Sequence, residues 1–191
     1  MLSKYPYVTY SLEGQQKEQA ENLSSLSKNY LFALLIVFML LAIPFKSYYQ
    51  PFIVMSAIPY GIIGAVFGHL LLGMDFSILS MLGIAALSGV VVNDSLVMMD
   101  YINRNRLKDN DVILVAMNAG PARFRPILLT SLTTFISVLP LIFEKSIQAK
   151  FLIPMAVSLG FGVLFSTLVT LILVPCTYIT IENLKSRLIK K

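Results

Sequence analysis

Five apolar runs, at about 30–45, 52–72, 76–101, 126–143 and 151–178, occupy most of the 191 residues. Each is close to or above the roughly 17–25 residues that a helix needs to cross a bilayer. Runs of this length leave few folds open. Hydrocarbon offers peptide groups no water, so a spanning segment has to satisfy its own backbone, and a helix does so within a single segment. Hydrophobic residues make up 57% of the chain and charged residues 13%, and mean hydropathy is +0.77. Such a composition excludes an ordinary soluble domain. The solvent for most of this chain is lipid, and nucleic acid is not among its expected partners.

The third run carries the chemical anomaly. Within IAALSGVVVNDSLVMMDY, at 84–101, Asn93 and Asp94 stand side by side deep in apolar sequence. A carboxylate at the centre of a membrane helix costs about 2.5–3.5 kcal/mol on insertion scales, so it normally faces a partner or a water-filled path. Gly83, Ala86, Gly89 and Asn93 recur at three- and four-residue steps, a small-residue face on which another helix can pack, with Asp94 one position round from it. Two readings of Asp94 stay open on these residues: a proton-binding group, or a structural group hydrogen-bonded to a neighbouring helix.

Ahead of the first run, residues 5–14 alternate as a strand does, and 15–29 carry Ala20, Leu23 and Leu26 at three-residue spacing, which predicts a short amphipathic helix. This strand and helix are expected to end an extramembrane domain over 1–29. The start of the chain shows no signal-peptide pattern, so insertion is expected to be directed by the later spans. The second run holds Pro59, Gly61, Gly64, Gly68 and the only histidine, His69, which its place near a span end marks as interfacial, with a proton-relay or ligand role as the alternative. After a basic loop, 111–122 reads as a surface helix that Gly120-Pro121 breaks or redirects before the fourth span. Arg123, Thr130 and Ser137 are seven apart, with Thr133 and Thr134 between, giving one basic and hydroxyl-bearing stripe if the helix continues through Pro126. Such a stripe faces either a water path or another helix.

Five spans, within a membrane domain over 30–182, put the termini on opposite sides. With a cytoplasmic basic tail at 183–191, ten of the fifteen basic residues fall on the cytoplasmic side, which predicts an N-outside, C-inside orientation. The lone Cys176 excludes a disulfide framework, and no phosphate loop, metal-ligand cluster or nucleophile–base set is present. Enzymatic catalysis, a metal and an organic cofactor are not expected. The methionines are scattered through apolar runs and read as packing. The constellation that remains is Asp94 with Asn93, and Arg123 followed by Thr130, Ser131 and Thr134. A carboxylate paired with a cation inside a membrane binds a proton and changes partners on doing so, because neutralisation removes both its desolvation cost and its attraction to the cation.

The order of features resembles a known family. AIPFKSYYQPFIVMSAIPYGIIGAVFGHLLLG, LSGVVVNDSLVMMDYINR, RFRPILLTSLTTFISVLPLIFEKS and LIPMAVSLGFGVLFSTLVTLILVPC are similar, in that order, to the C-terminal membrane half of resistance-nodulation-division (RND) efflux pumps, closest to the multidrug branch. The resemblance implies an all-α membrane protein, a five-helix half-bundle matching transmembrane helices eight to twelve, with 1–29 as the end of a periplasmic porter domain. It implies a bacterial inner-membrane homotrimer in which proton influx drives export through a periplasmic adaptor and an outer-membrane channel. The N-terminal half, which holds the family's principal aspartate pair, becomes a required partner. The resemblance places Arg123 and Thr130 at matching relay positions, with Asn93 and Asp94 as the remaining relay candidates. The archetypes' relay lysine falls at Val92, which neither pairs nor titrates. Two rival readings stand beside this: a truncated product with a structural or assembly role, and a protein-translocation subunit of the same superfamily.

Overall fold

A computed structural model describes residues 14–106 and 112–189, which are helical apart from short connections. The strand expected at 5–14 lies, except for its last residue, outside the described residues. The helices are α1 (Gln15–Phe45), α2 (Tyr49–Met55), α3 (Ile58–Leu72), α4 (Ile78–Arg106), α5 (Val112–Ile142), α6 (Ile147–Lys150) and α7 (Ile153–Ile189). No strand occurs among the described residues. Five segments are long and apolar enough to cross a membrane: Glu21–Phe45, Tyr49–Leu72, Ile78–Arg106, Val112–Ile142 and Ile153–Lys185.

The chain divides into two units, 1–37 and 38–191. In the first, the expected short helix and the start of the first span are one uninterrupted piece of α1. No glycine or proline falls between Gln15 and Ala42, so nothing in the backbone stops the hydrogen-bond ladder.

The second unit holds the remaining spans. The second span is two helices, α2 and α3, divided at Ser56-Ala57 just before Pro59, which lies in the first turn of α3, where its missing N–H costs nothing. Gly73 closes α3 in the left-handed conformation, with φ of 60°. Its own N–H bonds back to the Leu70 carbonyl and the following Met74 N–H to the His69 carbonyl.

The break expected at Gly120-Pro121 does not occur. The predicted surface helix and fourth span form the single helix α5, which continues through Pro121, Pro126 and Pro140. Its first third is not a free surface helix, because Val115, Ala116 and Ala119 are buried. Gly120 also lies against α7, where a Cβ would sit 3.2 Å from the Leu171 carbonyl. Losing one hydrogen bond at each proline costs less than unwinding a helix whose flank is packed and whose peptide groups face lipid.

Helix α7 is the element against which α3, α4 and α5 all pack. Its neighbours approach closely because small residues stand at the crossings. A Cβ on Gly83 of α4 would sit 2.5 Å from the Met155 carbonyl and 2.8 Å from Ser158 Cβ, and one on Gly64 of α3 would sit 2.9 Å from the Phe161 carbonyl. Between the helices Ala57, Ala65, Ile84, Leu87, Val91 and Val163 form a buried cluster. Lipid is as apolar as leucine, so this packing is held by close van der Waals contact rather than by expulsion of water.

Gly83→Ala is therefore expected to destabilise the bundle by about 1–3 kcal/mol through overpacking. Gly89→Ala, where a Cβ meets nothing within 4 Å, should leave it unchanged or slightly more stable. Denaturant unfolding in detergent, followed by circular dichroism, reads the difference, and equal behaviour of the two variants contradicts the close approach.

Candidate proton-relay site

Leu87, Val91, Asp94, Ser95, Met98 and Ile102 recur at helical steps along one flank of α4, and all are buried. Asp94 belongs to this buried flank and is 6% exposed. Ala86, Gly89 and Asn93 lie on the opposite, exposed flank. The small-residue face read from the sequence is thus split: Gly83 packs on α7, whereas Ala86, Gly89 and Asn93 are left open. Val92 is buried, so of the neighbours Val92 and Asn93, Asn93 is the outward one.

The hydroxyl that stands beside the Asp94 carboxyl is that of Ser131 of α5. Ser131 is fully buried. Its Oγ lies 2.9 Å from the Ile127 carbonyl and 2.5 Å from Oγ1 of Thr167 on α7, and the Thr167 hydroxyl in turn reaches the Val163 carbonyl at 2.8 Å. Thr167 is also buried. One carboxyl and two hydroxyls from three helices therefore meet inside the bundle. Two further buried hydroxyls, Ser95 and Thr170, have no hydrogen-bond partner; Ser95 follows Asp94 directly, and Thr170 is one turn beyond Thr167.

The stripe from Arg123 to Ser137 does not face this seam. Thr130 and Thr133 are exposed, Thr134 is half-buried and Ser137 is exposed. Each of these hydroxyls donates to a carbonyl of its own helix, with Thr130 reaching both Pro126 and Ile127. A hydroxyl on a lipid-facing helix has no better acceptor than the preceding turn. Arg123 is half-buried, with its guanidinium 5.2 Å from the centre of the Tyr101 ring, a cation–π distance, and its Nε has no hydrogen-bond acceptor. Among the described residues no ion pair joins Arg123 to Asp94. The carboxylate–cation pairing imagined from the sequence is replaced by a carboxyl–hydroxyl contact, and Thr167, which no motif singled out, is part of it. Its signal in the sequence was faint: a Ser166-Thr167 step inside an otherwise apolar run.

Polar ties also close both ends of α4. His69, expected at an interface, is 3% exposed. It sits 2.9 Å from the Ala65 carbonyl through Nδ1 and 2.8 Å from Ser80 Oγ through Nε2. The carbonyl only accepts, so Nδ1 carries the proton and, in the neutral ring, Nε2 accepts from Ser80. At the far end Arg106 donates to Tyr178 Oη at 2.9 Å and to Glu182 at 2.6 Å. Beside it, Gln50 and Asn103 exchange two amide hydrogen bonds of 3.0 and 2.9 Å. Among the described residues no group of acidic, histidine or cysteine side chains is arranged to hold a metal ion.

Five crossings with a carboxyl kept at hydrocarbon depth define a multi-pass membrane protein. Comparison with known proteins is consistent throughout. The AcrB/AcrD/AcrF family model matches residues 4–182. Multidrug resistance protein MdtC of Yersinia enterocolitica is 32% identical over 163 residues, covering 83% of this chain and 16% of that protein. Swarming motility protein SwrC of Bacillus subtilis is 29% identical over 188 residues, covering 94% of this chain and 17% of SwrC. Crystal structures of a heavy metal efflux pump superpose with TM-scores of 0.79 and 0.77, at 24% and 26% identity, over 95% and 93% of this chain and 19% and 18% of the pump. The chain belongs to the AcrB/AcrD/AcrF family of RND permeases and is a multi-pass inner-membrane protein. It spans about a sixth of the length of the relatives it matches.

Arg106→Gln should cost about 1.5–3 kcal/mol, the range for hydrogen bonds to charged groups, because it leaves Glu182 and the buried Tyr178 without their donor. Arg104→Gln, which removes only an exposed i,i+4 pair with Asp100 at 2.8 Å, should cost at most about 0.5 kcal/mol. Unfolding midpoints of the two variants in detergent check the ranking, and equal losses would show that the Arg106 cluster is screened like a surface pair.

Proposed function

We propose that this chain is the C-terminal membrane portion of a proton-driven RND efflux permease that exports drugs or other amphiphiles across the bacterial envelope. The observation that carries the reading is the placement of Asp94: a single carboxyl buried among α4, α5 and α7, with a serine hydroxyl rather than a cation beside it. A group so placed is cheaper to bury neutral than charged, so its protonation state responds to proton supply from either side of the membrane. One elementary charge moved through the membrane potential is worth roughly 2.3 kcal/mol per 100 mV, enough to bias an equilibrium between two helix arrangements substantially. Membership of a family whose similar members include multidrug resistance proteins supports the same reading.

In this reading Asp94 carries protons, Arg123 supplies a positive charge on α5 that pairs in the complete permease, and Asn93 and Thr130 face the rest of it. The exposed flank formed by Ala86, Gly89 and Asn93 is small enough for another membrane helix to lie against it, and we assign it to the N-terminal half of the permease. The assembly is a homotrimer joined to a periplasmic adaptor and an outer-membrane channel. The amino terminus is periplasmic and the carboxy terminus cytoplasmic, following the bias of basic residues. The chain carries out transport and no covalent chemistry.

In the complete permease, Asp94→Asn and Arg123→Ala are each expected to reduce efflux of a fluorescent substrate to near background while leaving trimer assembly intact. Dye efflux from energised cells, with cross-linking as the control for assembly, makes the measurement. Efflux at the level of the unsubstituted permease from both variants, at equal expression, removes these residues from the mechanism.

A further inference from the structure

The two hydroxyls beside Asp94 have more acceptors than protons. Ser131 faces the Ile127 carbonyl, Thr167 Oγ1 and the Asp94 carboxyl, and Thr167 faces Ser131 Oγ and the Val163 carbonyl. A hydroxyl donates only one hydrogen bond, so these contacts are satisfied in alternative sets. Each backbone carbonyl at the ends of the chain also has a second hydroxyl in reach: Thr130 Oγ1 is 2.8 Å from the Ile127 carbonyl, and Ser166 Oγ is 3.0 Å from the Val163 carbonyl. Ser131 or Thr167 therefore turns away without stranding the acceptor it leaves. Ser95 and Thr170 add buried hydroxyls directly after Asp94 and one turn beyond Thr167.

We propose that Ser131 and Thr167 are positioning residues for the Asp94 carboxyl, a hydroxyl pair whose hydrogen bonds reverse direction with its protonation and report that state to the backbone of α7. The proposal rests on the reading of Asp94 as a proton carrier. When the carboxyl is protonated, its O–H donates to Ser131 Oγ, Ser131 donates to Thr167 Oγ1 or the Ile127 carbonyl, and Thr167 donates to the Val163 carbonyl. When the proton leaves, Ser131 donates to the carboxylate and Thr167 donates to Ser131, so the Val163 carbonyl keeps Ser166 alone among the side-chain hydroxyls. Only the carboxyl proton is gained or lost; each hydroxyl retains its own and rotates. Val163 lies in the buried cluster shared by α3, α4 and α7, so the change arrives at the helix on which the other three pack.

Several charged and titratable groups of the packed elements have partners away from this seam, and Lys185 of α7 lies over the Tyr49 ring of α2. On α5, Arg123 lies over Tyr101; on α7, Tyr178 and Glu182 are bonded to Arg106; on α3, His69 is bonded to Ser80; on α4, Asp100 is paired with Arg104. On α2 the polar contact is the neutral Gln50 with Asn103. The Ser131–Thr167 pair is the hydroxyl contact that leads from the carboxyl to α7.

The test uses the chain in its membrane assembly in lipid vesicles. Valine labelled with carbon-13 at the carbonyl, combined with leucine labelled with nitrogen-15, marks two peptide bonds, Val163-Leu164 and Val138-Leu139. Solid-state NMR then follows the Val163 carbonyl across pH, with Val138 as internal control, while infrared spectroscopy follows the Asp94 carboxyl band, identified by its loss in Asp94→Asn. The expected result is a Val163 shift with the same midpoint as the carboxyl band and a stationary Val138. Thr167→Val should abolish the shift while the carboxyl band still titrates, and Thr167→Ser should restore it. A titrating carboxyl with an unmoved Val163, or a Val163 shift that survives Thr167→Val, overturns the relay and leaves the proton-carrier reading standing. A carboxyl band that never titrates overturns the proton-carrier reading itself, and the relay falls with it.

Discussion

Inside a bilayer the protein is the only source of hydrogen-bond partners, and much of this structure follows from that scarcity. Hydroxyls on the outer flank of α5 fold back on the carbonyls of their own helix. Three prolines fail to break α5, since an opened turn would expose more peptide groups than each proline leaves unpaired. Asp94 is drawn to the interior for the same reason, and the polar atom it meets is another residue's hydroxyl. Two further buried hydroxyls, Ser95 and Thr170, stand next to Asp94 in sequence and one turn beyond Thr167.

The second organising fact is the central position of α7. Close crossings at Gly64 and Gly83 bring α3 and α4 onto it. Close packing makes a bundle stiff, and stiffness is what allows a small change at one buried group to be felt by several helices at once. The polar ties at the two ends of α4 hold the ends in register: His69 with Ser80 at one, Arg106 with Tyr178 and Glu182 at the other. Between these ends lies the seam in which the carboxyl sits.

Asn93 and Asp94, adjacent in sequence, have opposite situations. The helical step of about 100° puts Asp94 in the interior and Asn93 on the open flank of α4. One faces the hydroxyls of its own half-bundle, and the other faces whatever packs against the small residues Ala86 and Gly89. The buried carboxyl and the open flank are thus one helix thickness apart, on the two sides of α4.

Hydropathy and length alone determined that this chain is helical and crosses a membrane five times, because a spanning segment has hardly any other way to satisfy its backbone. The out-of-place Asp94 was equally plain, since charge is rare and costly at that depth. The partners of that group could not be read. Periodicity aligned Arg123, Thr130 and Ser137 on one stripe, but which stripe of α5 turns inward depends on how α5 meets α7, and Ser131 rather than Thr130 occupies the inward position. Pro121 looked like a break because local preference was weighed without the flank of Val115, Ala116 and Ala119 that the bundle buries. His69 looked interfacial because its distance along the helix was visible and its contact with Ser80, eleven residues on, was not. Local sequence sets what each segment is able to be; the side of each helix that meets its neighbours is a property of all of them together, and only the tertiary structure decided it.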